Sequence, residues 1–146
     1  MMENEINCRK AEIKDITNLR LLAKLLGYDI SEKEATENLV RNLVDEKQYF
    51  QVAELKGEVI GFIQAELYQP FYEPQMYNVL GLAVREEVQG QGIGSMLLQL
   101  LERHASAYGI SVIRLNSGTQ RYLAHEFYKK QGYISNHEQK RFIKQL

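Results

Sequence analysis

"AVREEVQGQGIGSMLLQLLERHA", residues 83–105, decides how the chain folds. Gly90, Gly92 and Gly94 alternate with Gln91 and Ile93, after which Ile93, Met96, Leu97, Leu100, Leu101 and His104 recur at helical spacing. One capping residue suffices to start a helix, and each glycine loses backbone entropy on folding. Three of them imply that something large and anionic approaches the backbone. Successive N–H groups in such a turn, continued by the unbonded N–H groups of a helix N-terminus, form a phosphate site with a favourable dipole. Side chains at 90, 92 and 94 would block that approach.

The elements follow outward from this turn. "MYNVLGLAV" (76–84) reads as the strand entering it, and "SVIRLN" (111–116) as a strand after the helix, parallel to the first across a right-handed crossover. "YFQVAEL", the turn "KG" and "EVIGFIQAELY" read as an antiparallel hairpin. "QPFYEPQ" holds both prolines and is a loop. Near the start, "INCRKA" is a short strand. Asp15 is placed as the N-cap of a helix with Ile16, Leu19, Leu22 and Leu26 on one face, and Gly27 as its stop. Ser31 and Glu34 have capping-box spacing before "EKEATENLVRNLVDE". "YLAHEFYKKQ" is a last helix and "KRFIKQL" a closing strand. The order β-α-α-β-β-β-α-β-α-β predicts one α/β (α+β) domain over residues 1–146. No repeat, low-complexity tract or linker interrupts it.

Other glycine-rich devices fit less well. A P-loop requires a Lys before its Ser/Thr, and none follows Gly94. A dinucleotide fingerprint through Gly90 and Gly92 meets Ser95 at its third glycine, and Asn116 where the next strand should end on an acid. A merely tight strand-to-helix turn needs fewer glycines.

Gln89-Gly90-Gln91-Gly92-Ile93-Gly94 resembles the [Q/R]-x-x-G-x-[G/A] motif of the GNAT superfamily of acyl-CoA-dependent N-acetyltransferases. The later segment is similar as well: a strand, then a helix carrying Ala124, Phe127 and Tyr128 as A-x-x-F-Y, then Gly132-Tyr133. The resemblance implies a mixed, mostly antiparallel sheet of about six to seven strands with four helices. It implies acetyl-CoA as cosubstrate and an amine, on a small molecule or a protein, as acceptor. Leu82, Ala83 and Val84 would form the splayed strand along which the pantetheine arm bonds, with N–H groups near Leu82 and Val84 polarising the thioester oxygen. Residues 89–95, Ser95 included, would hold the diphosphate. Asn116 would contact the cofactor, although many members carry Asn where this chain has Arg121. Tyr128 would be the general acid. Glu66 is the candidate base, with Glu73 beside Tyr72, or water, as alternatives. A non-catalytic acyl-CoA-binding module is the competing reading, against which the intact Tyr128 argues.

Composition bounds the rest. Eighteen basic residues against nineteen acidic ones leave 146 residues with a net charge of −1, and no basic stripe suggests nucleic acid. No apolar run is long enough for a membrane span. "MMENEINCRK" lacks the apolar core of a signal peptide, and Cys8 is alone, so a reducing cytoplasm is expected. Cys8 reads as a small strand residue, His125 as a packing or cofactor-side residue, and His104 as lying on the apolar side of the long helix. His137 falls in the C-terminal loop, and no spacing suits a metal. Phe142, Ile143 and Leu146 are a candidate contact of a homodimer.

Overall fold

Alternating residues of β2 (Gln48–Leu55) and β3 (Glu58–Tyr68) pair antiparallel across Lys56-Gly57. Both turn residues have positive φ, 51° and 81°, the twist that a two-residue hairpin requires. In this computed structural model, residues 5–146 are described; residues 1–4, part of the stretch read for a leader, lie outside them. The chain forms two units, one ending at Leu115 and the other spanning Asn116–Leu146.

In the first unit β1 (Ile6–Lys10) pairs with β2, and β4 (Met76–Val84) pairs with β3, all antiparallel. β5 (Ile113–Leu115) joins β4 in parallel, giving the order β1-β2-β3-β4-β5. Two helices, α1 (Ile16–Leu25) and α2 (Glu32–Val44), bury Ile16, Leu22 and Leu39 against Val52, Phe62 and Ala83 of the sheet. α3 (Ile93–Ala107) packs on β2, β3 and β4 with Leu97, Leu98 and Leu101 fully buried. Each such leucine contributes about 1.5–3 kcal/mol by leaving water. Within the second unit, α4 (Tyr122–Lys130) is the one α-helix.

Three expectations change. The sheet among the described residues has five strands rather than six to seven, because residues 133–146, "KRFIKQL" included, form no regular structure. Phe142, Ile143 and Leu146 are 89%, 78% and 109% exposed, and a strand without a neighbour leaves its N–H and C=O groups unpaired. Asp15 stands at the N-cap position of α1 but makes no cap bond to that helix. Its carboxylate instead takes a two-pronged ion pair from Arg9, at 2.8 Å on each oxygen, and accepts the Glu12 N–H at 2.8 Å. Charge pairing outweighed capping there. Ser31, by contrast, does cap α2: its Oγ accepts the Glu34 N–H at 3.1 Å.

Candidate active site

β5 accompanies β4 only from Tyr77 to Val79, paired with Ile113 to Leu115. Beyond Val79 that edge of β4 has no ladder partner among the described residues. What the edge offers follows from register. Arg85 N–H donates to Ile60 O at 2.8 Å, so it faces β3. N–H direction alternates along a strand, so Ala83 and Gly81 also face β3, whereas Val84 and Leu82 face the open edge. Farther back, Tyr77 N–H donates to Val112 O at 3.1 Å, which puts odd-numbered residues on the β5 side. Leu80 reconciles the two. Gln64 lies opposite Gly81 and Ala65 opposite Val79, so Leu80 is an extra residue that switches the parity of β4. Ala83 itself faces β3 and buries its methyl group in the core.

At the end of β4 a 3-10 turn (Glu86–Val88) leads into the glycine loop. Gln89 donates its side-chain amide to Val84 O at 2.9 Å, tying the loop back to the strand. That bond leaves the N–H of Val84 as its edge group. Gly90 and Gly92 have φ of +79° and +87°, and a Cβ at either would meet nothing within 4 Å. Packing therefore does not demand glycine at these positions. The left-handed backbone does, and the space above it is open. The first bond of α3 is Met96 N–H to Gly92 O at 2.9 Å, so the N–H groups of Ile93, Gly94 and Ser95 precede the helical ladder. No side chain caps this helix. Ile93 buries its side chain in the core, so only its backbone is available to an anion. The sequence-predicted residues 82, 84 and 89–95 are thus contiguous: a strand edge with two unpaired N–H groups, then a donor-rich, glycine-bounded helix start. A diphosphate joined to an extended pantetheine arm fits that donor set.

Glu66 lies on β3 opposite Asn78, half-buried, whereas Glu73 and Tyr72 sit exposed in the 69–75 loop. The structure thus separates the two candidate bases, one on a strand and one on a loop. Asn78 was not foreseen: its Oδ1 is buried without a hydrogen-bond partner. No local pattern marks it, because strand register alone brings it beside Glu66.

Within the second unit, the Tyr128 ring packs edge-on to Phe127 and Tyr133, with centroids 5.3 and 6.1 Å away. Burial pushes its hydroxyl above the ordinary tyrosine range, against a smaller opposing pull from Arg121. It is therefore a protonated phenol at neutral pH. His125 Nε2 lies 2.8 Å from Gly118 O and closes the turn before α4, which is a structural role. Asn116 is exposed, while the neighbouring Ser117 Oγ is buried without a partner.

His104 and Cys8 are both engaged in packing contacts. His104 stacks between Tyr49 and Tyr108, at 4.7 and 4.8 Å, and sits 3.1 Å from the Tyr77 hydroxyl; burial lowers its pKa. The Cys8 thiol approaches Met96 Sδ at 3.9 Å, and burial raises its pKa, which disfavours the reactive thiolate. Among the described residues no group of three His, Cys, Asp or Glu could hold a metal, and no helix is long and apolar enough to cross a membrane.

The fold is thus a mixed sheet whose parallel pair parts at a bulge, with a glycine-bounded helix start just beyond. A sequence model of the Acetyltransferase (GNAT) family matches residues 13–133, and the chain belongs to that family. Its relatives include an aminoalkylphosphonate N-acetyltransferase of Salmonella typhimurium, 29% identical over 86% of this chain and 81% of that one. An N-acetyltransferase of Chlorobaculum tepidum is 32% identical over 87% of this chain and 72% of that one. The fold is also that of AAC(6')-Iy, solved in complex with the bisubstrate analog CoA-S-monomethyl-acetylneamine. The TM-score is 0.83 at 14% identity, covering 97% of this chain and 99% of the other.

Proposed function

We propose that this protein transfers the acetyl group of acetyl-CoA directly to a primary amine within a ternary complex. One observation carries the reading: Leu82 and Val84 present unpaired N–H groups along an open strand edge that runs into the glycine-bounded start of α3. The name of the Salmonella relative supports a small-molecule amine as acceptor.

When bound, acetyl-CoA supplies an activated acyl group, so the chain has chiefly to orient the amine and manage charge and protons. The backbone donors of residues 90–95 hold the diphosphate. The edge N–H groups of β4 align the pantetheine arm as an added strand and polarise the thioester carbonyl. Glu66 takes a proton from the acceptor ammonium, directly or through water, freeing the nitrogen lone pair to attack the carbonyl carbon. Leu82 and Val84 N–H groups stabilise the oxyanion as the C–N bond forms. Tyr128 protonates the sulfur as the C–S bond breaks, and recovers a proton from the nitrogen of the adduct. The products are the acetamide and CoA thiol, with one proton passed from Glu66 to solvent.

The test is thiol release from acetyl-CoA in the presence of a panel of primary amines, with mass spectrometry of the acetylated product. Amine-dependent release is expected. Tight acetyl-CoA binding with no turnover of any amine would instead define a non-catalytic acyl-CoA-binding module.

A further inference from the structure

Glu66, Asn78 and Arg114 occupy one level of the sheet on three successive strands. Glu66 of β3 lies opposite Asn78 of β4, which lies opposite Arg114 of β5. Directly opposed residues share a face. This face is the one that carries Phe62 and Ala83 against α1, but at the level of Glu66 the row is polar and half-buried. With strands about 4.8 Å apart, Glu66 and Arg114 stand about 10 Å apart at the backbone.

Neither charge is neutralised among the described residues. The Glu66 carboxylate has no ion pair or hydrogen bond among the described residues. Arg114 meets no carboxylate; its guanidinium lies 4.9 Å from the ring centroid of Tyr68, two residues beyond Glu66 on the same face. Between them the Asn78 Oδ1 is buried and unpartnered. Half-buried charges of opposite sign, held apart by an acceptor that lacks a donor, complement a ligand with an ammonium at one end and an anion at the other. The ammonium meets Glu66. The planar guanidinium fork, steadied by the Tyr68 ring, pairs with anionic oxygens.

We propose that the acceptor is an amine bearing a carboxylate or phosphonate a few atoms away, and that Arg114 binds this anion and sets acceptor specificity. The proposal rests on the acetyl-transfer reading above, with Glu66 at the amine. The test compares initial rates with 2-aminoethylphosphonate, β-alanine and ethanolamine, which are alike in length and differ in their terminal group. The anionic acceptors are expected to exceed ethanolamine in kcat/KM by about tenfold or more, the worth of a charged hydrogen-bonded contact. Arg114→Gln should collapse that ratio through the acceptor KM, leaving the KM of acetyl-CoA in place, and Arg114→Lys should restore part of it. A wild-type protein with no preference for the anionic acceptors overturns the proposal, as does a ratio that Arg114→Gln leaves unchanged. Calorimetry of 2-aminoethylphosphonate with the CoA-bound protein reads binding apart from turnover. Binding that depends on Arg114, without acetylation of any amine in the panel above, sustains Arg114 as the anion-binding residue and overturns acetyl transfer. Preferred acetylation of ethanolamine does the reverse.

Discussion

At the scale of single residues, Tyr128 carries the sharpest consequence. Its phenol is protonated at neutral pH, as a proton donor must be, and burial raises its pKa further. Tyr128→Phe removes one oxygen and keeps the ring contacts with Phe127 and Tyr133. CoA affinity, read by calorimetry, should hardly move, while the chemical step slows by about 10²- to 10⁴-fold. A loss below about threefold, with chemistry rate-limiting, would mean that water protonates the thiolate. Asp15 carries a consequence for stability. Burial alone would raise its pKa, but the Arg9 hydrogen bonds, the Glu12 N–H and the Arg9 charge together bring it below the ordinary carboxylate range. A depressed carboxyl contributes stability that is present above its unfolded pKa, about 3.9, and lost as pH falls through its folded value. Asp15→Asn should therefore cost about 2 kcal/mol at neutral pH. In acid melts, its stability should fall less steeply below pH 4 than that of the wild type.

Among the elements, the start of α3 and the edge of β4 act as one device. Gly92 sits at φ +87° with open space above it, so its replacement tests both backbone and ligand. Gly92→Glu brings a Cβ into a left-handed site, at about 1–2 kcal/mol, and a negative charge to the place proposed for the diphosphate. CoA at a hundred times its Kd should stabilise the wild type by about 2.7 kcal/mol in a thermal melt. The variant should melt lower and show almost none of that gain; a folded variant with the full gain would remove the cradle. The bulge at Leu80 matters for the same device. By switching parity it lets Tyr77 and Val79 bond β5 while Leu82 and Val84 face the gap. A regular β4 would aim Gly81 and Ala83 there instead, with the Ala83 methyl on the wrong face.

For the molecule as a whole, the C-terminal residues pose the question of assembly. Phe142, Ile143 and Leu146 stay in water, and β5 is a three-residue edge strand. Exposed apolar residues and strand edges are surfaces that a second copy can cover, and twofold pairs are the commonest arrangement. Light scattering at micromolar concentration is expected to give twice the chain mass. A variant ending at residue 139 should give the single mass, and a monomeric full-length chain would end the idea.

Much of this was written in local pattern. The 3.6 period of residues 93–104, the alternation through the hairpin, Ser31 before Glu34 and the glycines at 90 and 92 each depend on neighbours a few residues away. They determine the helices, the hairpin and the glycine turn that starts α3. Other features depend on partners far along the chain. Asp15 gives up its cap to Arg9, which Glu54, 45 positions away, holds from the other side, and among the described residues "KRFIKQL" forms no strand. The parity switch at Leu80 arises only when β3 and β5 are both in place, since a bulge is a mismatch between two strands. The row of Glu66, Asn78 and Arg114 joins residues separated by 12 and 36 positions, and register alone aligns them. Short-range sterics and periodicity can be read from one sequence. Which long-range charges meet, and which are left for a ligand, was decided by the tertiary structure, because only there does one strand's register fix the neighbours of another.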